Sequence, residues 1–209
     1  MSLQAVFLIC TIKPDDELSH TEVLSELLAE KLQAHDVESE LLRLADKNIK
    51  FGLYNNMGEG DEWPPILEKI LKADIIIFAT PIWWGTQSSV MQKVLERMNK
   101  VRTEEFFKRG ASPLSNKVGG IVITGGEDGA EFIIGHLAKF MTWIGLTLPP
   151  MCSVSVLSST NYKSDVDREE LFQEYEEKVG TLASITANNL SATVALLKER
   201  PLFPVVEAT

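Results

Sequence analysis

The sequence predicts an open, mostly parallel α/β sheet with helices on both faces, and three observations carry that prediction. Residues 4–10, 74–80 and 117–124 are apolar runs without polar alternation, the pattern of strands covered on both sides. Each is followed, after a loop, by apolar residues at helical spacing. Strands alternating with helices build βαβ units and hence a parallel sheet.

Taken in order, residues 4–10 form strand 1. Helix 1 runs from about 20 to 34, with Val23, Leu24, Leu27, Leu28 and Leu32 on one face and Ser19 or His20 at its start. Residues 37–44 alternate weakly and read as strand 2, and turns follow at Gly52, Asn55, Asn56, Gly58 and Gly60. Pro64 and Pro65 open a short helix to about Lys72, because proline suits a first helical turn. Strand 3 spans 74–80 and its helix about 88–100, with Val90, Met91, Val94, Leu95 and Met98 facing inward. Strand 4 is 117–124. The next helix, about 130–144, points Ile133, Leu137, Phe140, Met141 and Ile144 inward, with His136 on that stripe as a partly buried packing residue. Strand 5, about 147–155, contains Pro149 and Pro150, which belong on a sheet edge because they donate nothing to a ladder. A long helix spans about 166–198 and ends before Pro201. The strand order 2-1-3-4-5 puts strand 5 on an edge and makes residues 1–209 one domain with a short tail.

The 44% hydrophobic and 24% charged content is that of a globular chain rather than a disordered one. Thirty acidic against 20 basic residues give a net charge of −10, which repels phosphate backbones and anionic lipid, so neither nucleic acid nor membrane is an expected partner. No basic n-region precedes the first apolar run, and no stretch has the ~18 apolar residues of a membrane span. Cys10 and Cys152 form no CxxC or Cys/His cluster and read as two buried thiols in a reducing cytoplasm.

In the 2-1-3-4-5 order the loops after strands 1, 3 and 4 converge at the carboxyl edge, where open α/β sheets bind ligands. The first loop offers the hydroxyls of Thr11, Ser19 and Thr21, the cation of Lys13, the imidazole of His20 and the opening amides of helix 1. Such a set can hold a dianionic phosphate, or Ser19 and Thr21 merely cap the helix. Asp15, Asp16 and Glu17 suit a phosphate only if they point to solvent. In the second loop, Pro81, Ile82, Trp83, Trp84, Gly85 and Thr86 combine indoles with backbone amides, fit for a planar heterocycle or for closing the core. The third, Thr124, Gly125, Gly126, Glu127, Asp128 and Gly129, lets backbone approach a flat ligand closely, or is a turn with Asp128 capping the next helix. GxGxxG, GK[ST] and GxSxG are all missing, which disfavours triphosphate hydrolysis and serine chemistry. An enzyme built this way needs a cofactor for its chemistry.

Thr80-Pro81-Ile82-Trp83-Trp84-Gly85, followed by Gln87, Ser88, Met91 and a helix to Arg97, resembles a family signature. It is that of the NAD(P)H-dependent FMN reductases of flavodoxin-like fold, especially their WrbA-like quinone reductase branch. Thr124-Gly125-Gly126 with Gly129 is similar to that family's flavin loop, and Gly145 also matches. The first loop departs from the pattern: Thr11, Lys13, Ser19 and Thr21 match only across the acidic stretch.

The resemblance implies a flavodoxin-like five-stranded fold and FMN as cofactor. Thr11, Lys13, Ser19, His20 and Thr21 would hold its phosphate; residues Pro81 to Thr86 and Thr124 to Gly129 would hold its ring. It further implies NAD(P)H as reductant, hydride passing through the flavin to a quinone or similar small acceptor, and a homodimer or homotetramer. No protein general acid or base is named. Two alternatives stay open: a flavodoxin-type electron carrier, suited by the acidic surface, and a non-catalytic binding module of the same fold.

Overall fold

The computed structural model describes residues 2–14, 16–103, 110–126, 128–158 and 166–204. Parallel strands β1 (Leu3–Ile9), β2 (Val37–Arg43), β3 (Ile75–Trp83), β5 (Val118–Gly125) and β6 (Ser153–Leu157) lie in the order β2-β1-β3-β5-β6. A two-residue strand β4 (Thr86–Gln87) turns back antiparallel on the end of β3. With β4 set aside as a hairpin, this is the five-strand flavodoxin-like order the sequence predicts.

Both faces of the sheet are covered, which is why its central strands lack polar alternation. Ala5, Phe7 and Ile9 face α1 (His20–Gln33) and the long α6 (Arg168–Glu199), packing with Leu24, Leu28, Tyr175 and Leu190. Val6 and Leu8 face the other way, with Trp63 of α2 (Trp63–Lys72), Met91 of α3 (Ser89–Arg97) and Leu137 of α5 (Ala130–Trp143). The helix predicted over 88–100 divides at Met98, which caps α3 before a short α4 (Asn99–Thr103).

Three expectations are corrected. Pro149 and Pro150 are not in a strand: Thr147 makes a lone bridge to Val118, the chain then turns, and β6 starts at Ser153. The edge position holds, but the prolines precede the ladder they cannot join. Strand β3 runs past Thr80 to Trp83, because β4 gives its end a partner. His136 is exposed, its Nδ1 3.2 Å from Gln87 Oε1, since its position turns away from the Ile133–Leu137 stripe.

A segment that periodicity left as turns, residues 47–61, is fastened by a buried ion pair. Arg97 and Asp61 have fully buried side chains 2.7 Å apart, and Arg97 also donates to the carbonyls of Lys50 and Tyr54. The guanidinium holds the Asp61 carboxyl far below the usual carboxylate range.

Candidate functional site

Strand order reverses between β1 and β3, and the crevice at their carboxyl ends has a volume of about 530 Å³. That is the size of a small-molecule or cofactor site. Its walls are Thr11, Ile12, Lys13, Glu17, Ser19, His20 and Thr21 from the first loop and start of α1, and Pro81, Ile82, Trp83, Trp84 and Gly85 from the second. Thr124, Gly125, Gly126 and Asp128 complete it from the third.

These loops are tied to one another pairwise. Ser88 Oγ donates to the Cys10 carbonyl at 2.6 Å while its N–H donates to Thr80 Oγ1 at 3.1 Å, joining the first loop to the second. The hydroxyls of Thr21 and Thr124 lie 2.7 Å apart, both buried, joining the first to the third. Gly129 joins the second and third by proximity alone. A Cβ built on it would lie 2.8 Å from Gly85 Cα and 2.9 Å from Gly85 O, and its φ of +111° is one side chains rarely adopt. The outcome is a crevice whose width is set by backbone and short hydroxyls rather than by long side chains.

At one end the groups are polar. Ser19 caps α1, its Oγ accepting from Glu22 N–H at 3.3 Å, and the first-turn amides of a helix have no intrahelical acceptor. Buried His20 places Nδ1 2.8 Å from the Tyr175 hydroxyl of α6; burial raises the Tyr175 pKa, so it stays a neutral phenol. Lys13 donates through Nζ to the Leu18 carbonyl at 3.0 Å. Asp16 is exposed and off the crevice wall, whereas Glu17, exposed as well, is itself a wall residue. Buried Cys10 has its pKa pushed up by desolvation, which keeps it an inert thiol, whereas Cys152, expected to be buried too, is only half-buried just before the edge strand β6.

At the other end a tight hairpin presents the indoles. Trp83 pairs with Thr86 across Trp84 (φ 51°) and Gly85 (φ 75°). Positive φ at both central positions is the type I′ signature, which favours Asn-Gly rather than a bulky residue. Trp84 is nonetheless there, 100% exposed, and Trp83 is 45% exposed.

Of the residues singled out by sequence, all but three line the crevice. Thr86 instead pairs with Trp83 outside it, Gly129 acts behind the wall against Gly85, and Glu127 lies outside the described residues. Asp15 of the acidic stretch is also outside them. Asp128 does not cap α5; left-handed Gly129 holds that position without a side-chain bond. Sequence reading missed Ile12, Glu17 and Tyr175, and took Ser88 only as part of a helical signature. Tyr175 had no local signal, because its partner is 155 residues away.

The residues present fit FMN on two observations. A Cβ at Gly125 would collide with the Ile82 side chain at 2.7 Å and one at Gly129 with Gly85 Cα at 2.8 Å, so glycine at both lets the second and third loops close together in the way a flat ring needs of its flanking walls. Hydroxyls and a helix N-terminus at the polar end suit a phosphate.

Fold and crevice together define a flavodoxin-like α/β protein with a crevice at the topological switch point. Residues 5–161 match the family described as NADPH-dependent FMN reductase, and the chain belongs to that family. FMN and NAD(P)H are the cofactors that membership brings. A Streptomyces davaonensis 8-demethyl-8-aminoriboflavin-5'-phosphate synthase is 32% identical over 164 residues, covering 72% of this chain and 62% of that protein. A Mycobacterium bovis protein described as divalent metal cation transporter MntH is 34% identical over 152 residues, 71% of this chain and 22% of that one. The chain thus spans less than two thirds of these relatives, and no helix among its described residues is long and apolar enough to cross a membrane. The crystal structure of RosB with bound 8-demethyl-8-formylriboflavin-5'-phosphate superposes with a TM-score of 0.81 at 25% identity, covering 98% of this chain and 83% of that one.

Proposed function

We propose that this protein is an FMN-binding, NAD(P)H-dependent oxidoreductase that reduces a quinone or a similar planar acceptor. The observation that carries the reading is one crevice with a hydroxyl-lined helix N-terminus at one end and glycines and indoles at the other. In this reading Thr11, Lys13, Ser19, His20 and Thr21 receive the phosphate, while Pro81 to Gly85 and Thr124 to Gly129 flank the ring. Bound FMN supplies the two-electron chemistry that no side chain here offers. The chain's own part is to orient the ring with backbone groups and to keep water from its buried edge. Exposed Trp83 and Trp84 offer a stacking surface to an acceptor entering at the mouth. A homo-oligomer fits exposed Trp84, Phe132 and Trp143, and a reducing, cytoplasmic setting fits the free thiols Cys10 and Cys152.

Steady-state oxidation of NADPH and NADH with a quinone tests the reading. Sustained, acceptor-dependent turnover is expected; flavin binding without turnover would instead make the protein a carrier.

A second reading comes from the relatives named for 8-substituted riboflavin phosphates, in which flavin phosphate is the substrate itself. Mass spectrometry of flavin recovered from the working enzyme separates the two. Unchanged FMN supports the oxidoreductase, and a modified flavin supports the second reading.

A further inference from the structure

Arg43, the last residue of β2, belongs to none of the crevice walls, yet its guanidinium gathers the first loop. Nη2 donates to the carbonyls of Lys13 at 3.1 Å and Glu17 at 3.0 Å, and also to that of Pro14. Nη1 donates to Glu22 Oε2 at 3.0 Å, and Nε lies 3.6 Å from Asp46 Oδ2. The side chain is only 10% exposed. One cation therefore holds loop carbonyls at Lys13, Pro14 and Glu17, together with a carboxylate in the first turn of α1.

Peptide geometry gives that arrangement a consequence. In a trans peptide the C=O and the following N–H point in opposite directions. With the Glu17 carbonyl turned to Arg43, the N–H of Leu18 faces away from that guanidinium. Ser19 is on the crevice wall. Carbonyl oxygens facing a phosphate would repel it, and those of Lys13, Pro14 and Glu17 are instead turned to a cation that is not on the crevice wall. Asp16 stays exposed and off the crevice wall in the same arrangement.

We propose that Arg43 is the positioning residue of the phosphate loop, shaping it for a phosphate monoester without touching the ligand. The proposal rests on the reading that this loop receives the phosphate of FMN. It explains how a loop with an acidic insertion retains an anion site: the strap, rather than the loop's own composition, sets which groups face inward. Arginine suits the role because its planar fork has five donors; the single ammonium of lysine cannot span the same carbonyls and carboxylates at once.

The test is a fluorescence titration of the full chain with FMN and with riboflavin, which lacks the phosphate. The wild type is expected to prefer FMN by more than about tenfold. Arg43→Met should shrink that preference by about tenfold while riboflavin affinity stays within about twofold, and Arg43→Lys should shrink it by a smaller factor. Should Arg43→Met not fold, Arg43→Lys carries the test by the same ratio. An unchanged preference in the variants would overturn the proposal, as would FMN and riboflavin weakening in parallel, which marks a merely structural residue. A wild type that shows no preference for FMN would instead overturn the phosphate reading itself, before any variant is compared.

Discussion

The two ends of the crevice are built from different materials. The indole end is held by close approach at glycines: Gly129 rests on the Gly85 backbone, and Gly125 lies against the Ile82 side chain. The hydroxyl end is held by side chains, with Thr21 on Thr124, His20 on Tyr175 and Arg43 on the loop carbonyls. Where backbone meets backbone, one added methyl has nowhere to go. Where side chains span the gap, the loop tolerates a proline and acidic residues. The contrast predicts that ring-end changes weaken every flavin, and polar-end changes weaken only the phosphorylated one.

The sharpest way to break that contrast is Gly129→Ala. It forces a side chain into left-handed backbone, costing about 1–3 kcal/mol, and pushes the Cβ into Gly85. Affinities for FMN and riboflavin should fall together, by about tenfold or more, in the same titration. Retained riboflavin binding would show that the Gly85–Gly129 contact does not set the slot.

Arg97→Ala serves as a contrast from outside the crevice. Leaving Asp61 buried and unpaired should destabilise the fold by about 3–5 kcal/mol in urea, with the FMN-to-riboflavin ratio unchanged. The pair also sets an acid limit. Because the folded Asp61 pKa is depressed, its contribution is complete above the unfolded carboxylate value of about 3.9 and is lost as pH falls toward the folded one. Asp61→Asn should therefore lower stability at neutral pH and flatten this part of the acid dependence, checked by denaturation at several pH values.

Thr21→Val leaves the buried Thr124 hydroxyl without its partner and should lower stability by about 1–2 kcal/mol. It should weaken FMN more than riboflavin, since it loosens the start of α1. The smallest effect has the opposite sign. Trp84→Asn installs the Asn-Gly pair that a type I′ turn favours and should stabilise the fold by roughly 0.5–1 kcal/mol. It should reduce kcat/KM for planar acceptors and, as a ring-end change, weaken FMN and riboflavin alike by a few-fold at most. A stable variant with undiminished turnover would remove Trp84 from the acceptor surface.

Much of this was legible in the chain because the signals are local. Ile75–Ala79 shows its burial on both faces by lacking polar residues, and the glycines after β5 mark a close approach. The hairpin at Trp84-Gly85 was not legible, since tryptophan is a poor type I′ residue and only the pairing of Trp83 with Thr86 reveals the turn. The prolines at 149–150 suggested an edge strand, but the ladder begins only after them. Arg43, Arg97 and Tyr175 act across 26–30, 36–47 and 155 residues respectively, distances over which no periodicity reports.

The central claim is that the crevice is an FMN site, and a visible absorption spectrum tests it most directly. The protein is incubated with FMN and desalted before the spectrum is taken. Flavin bands that remain with the protein, and that are lost in Gly129→Ala, are the predicted result; a colourless wild-type protein would contradict it.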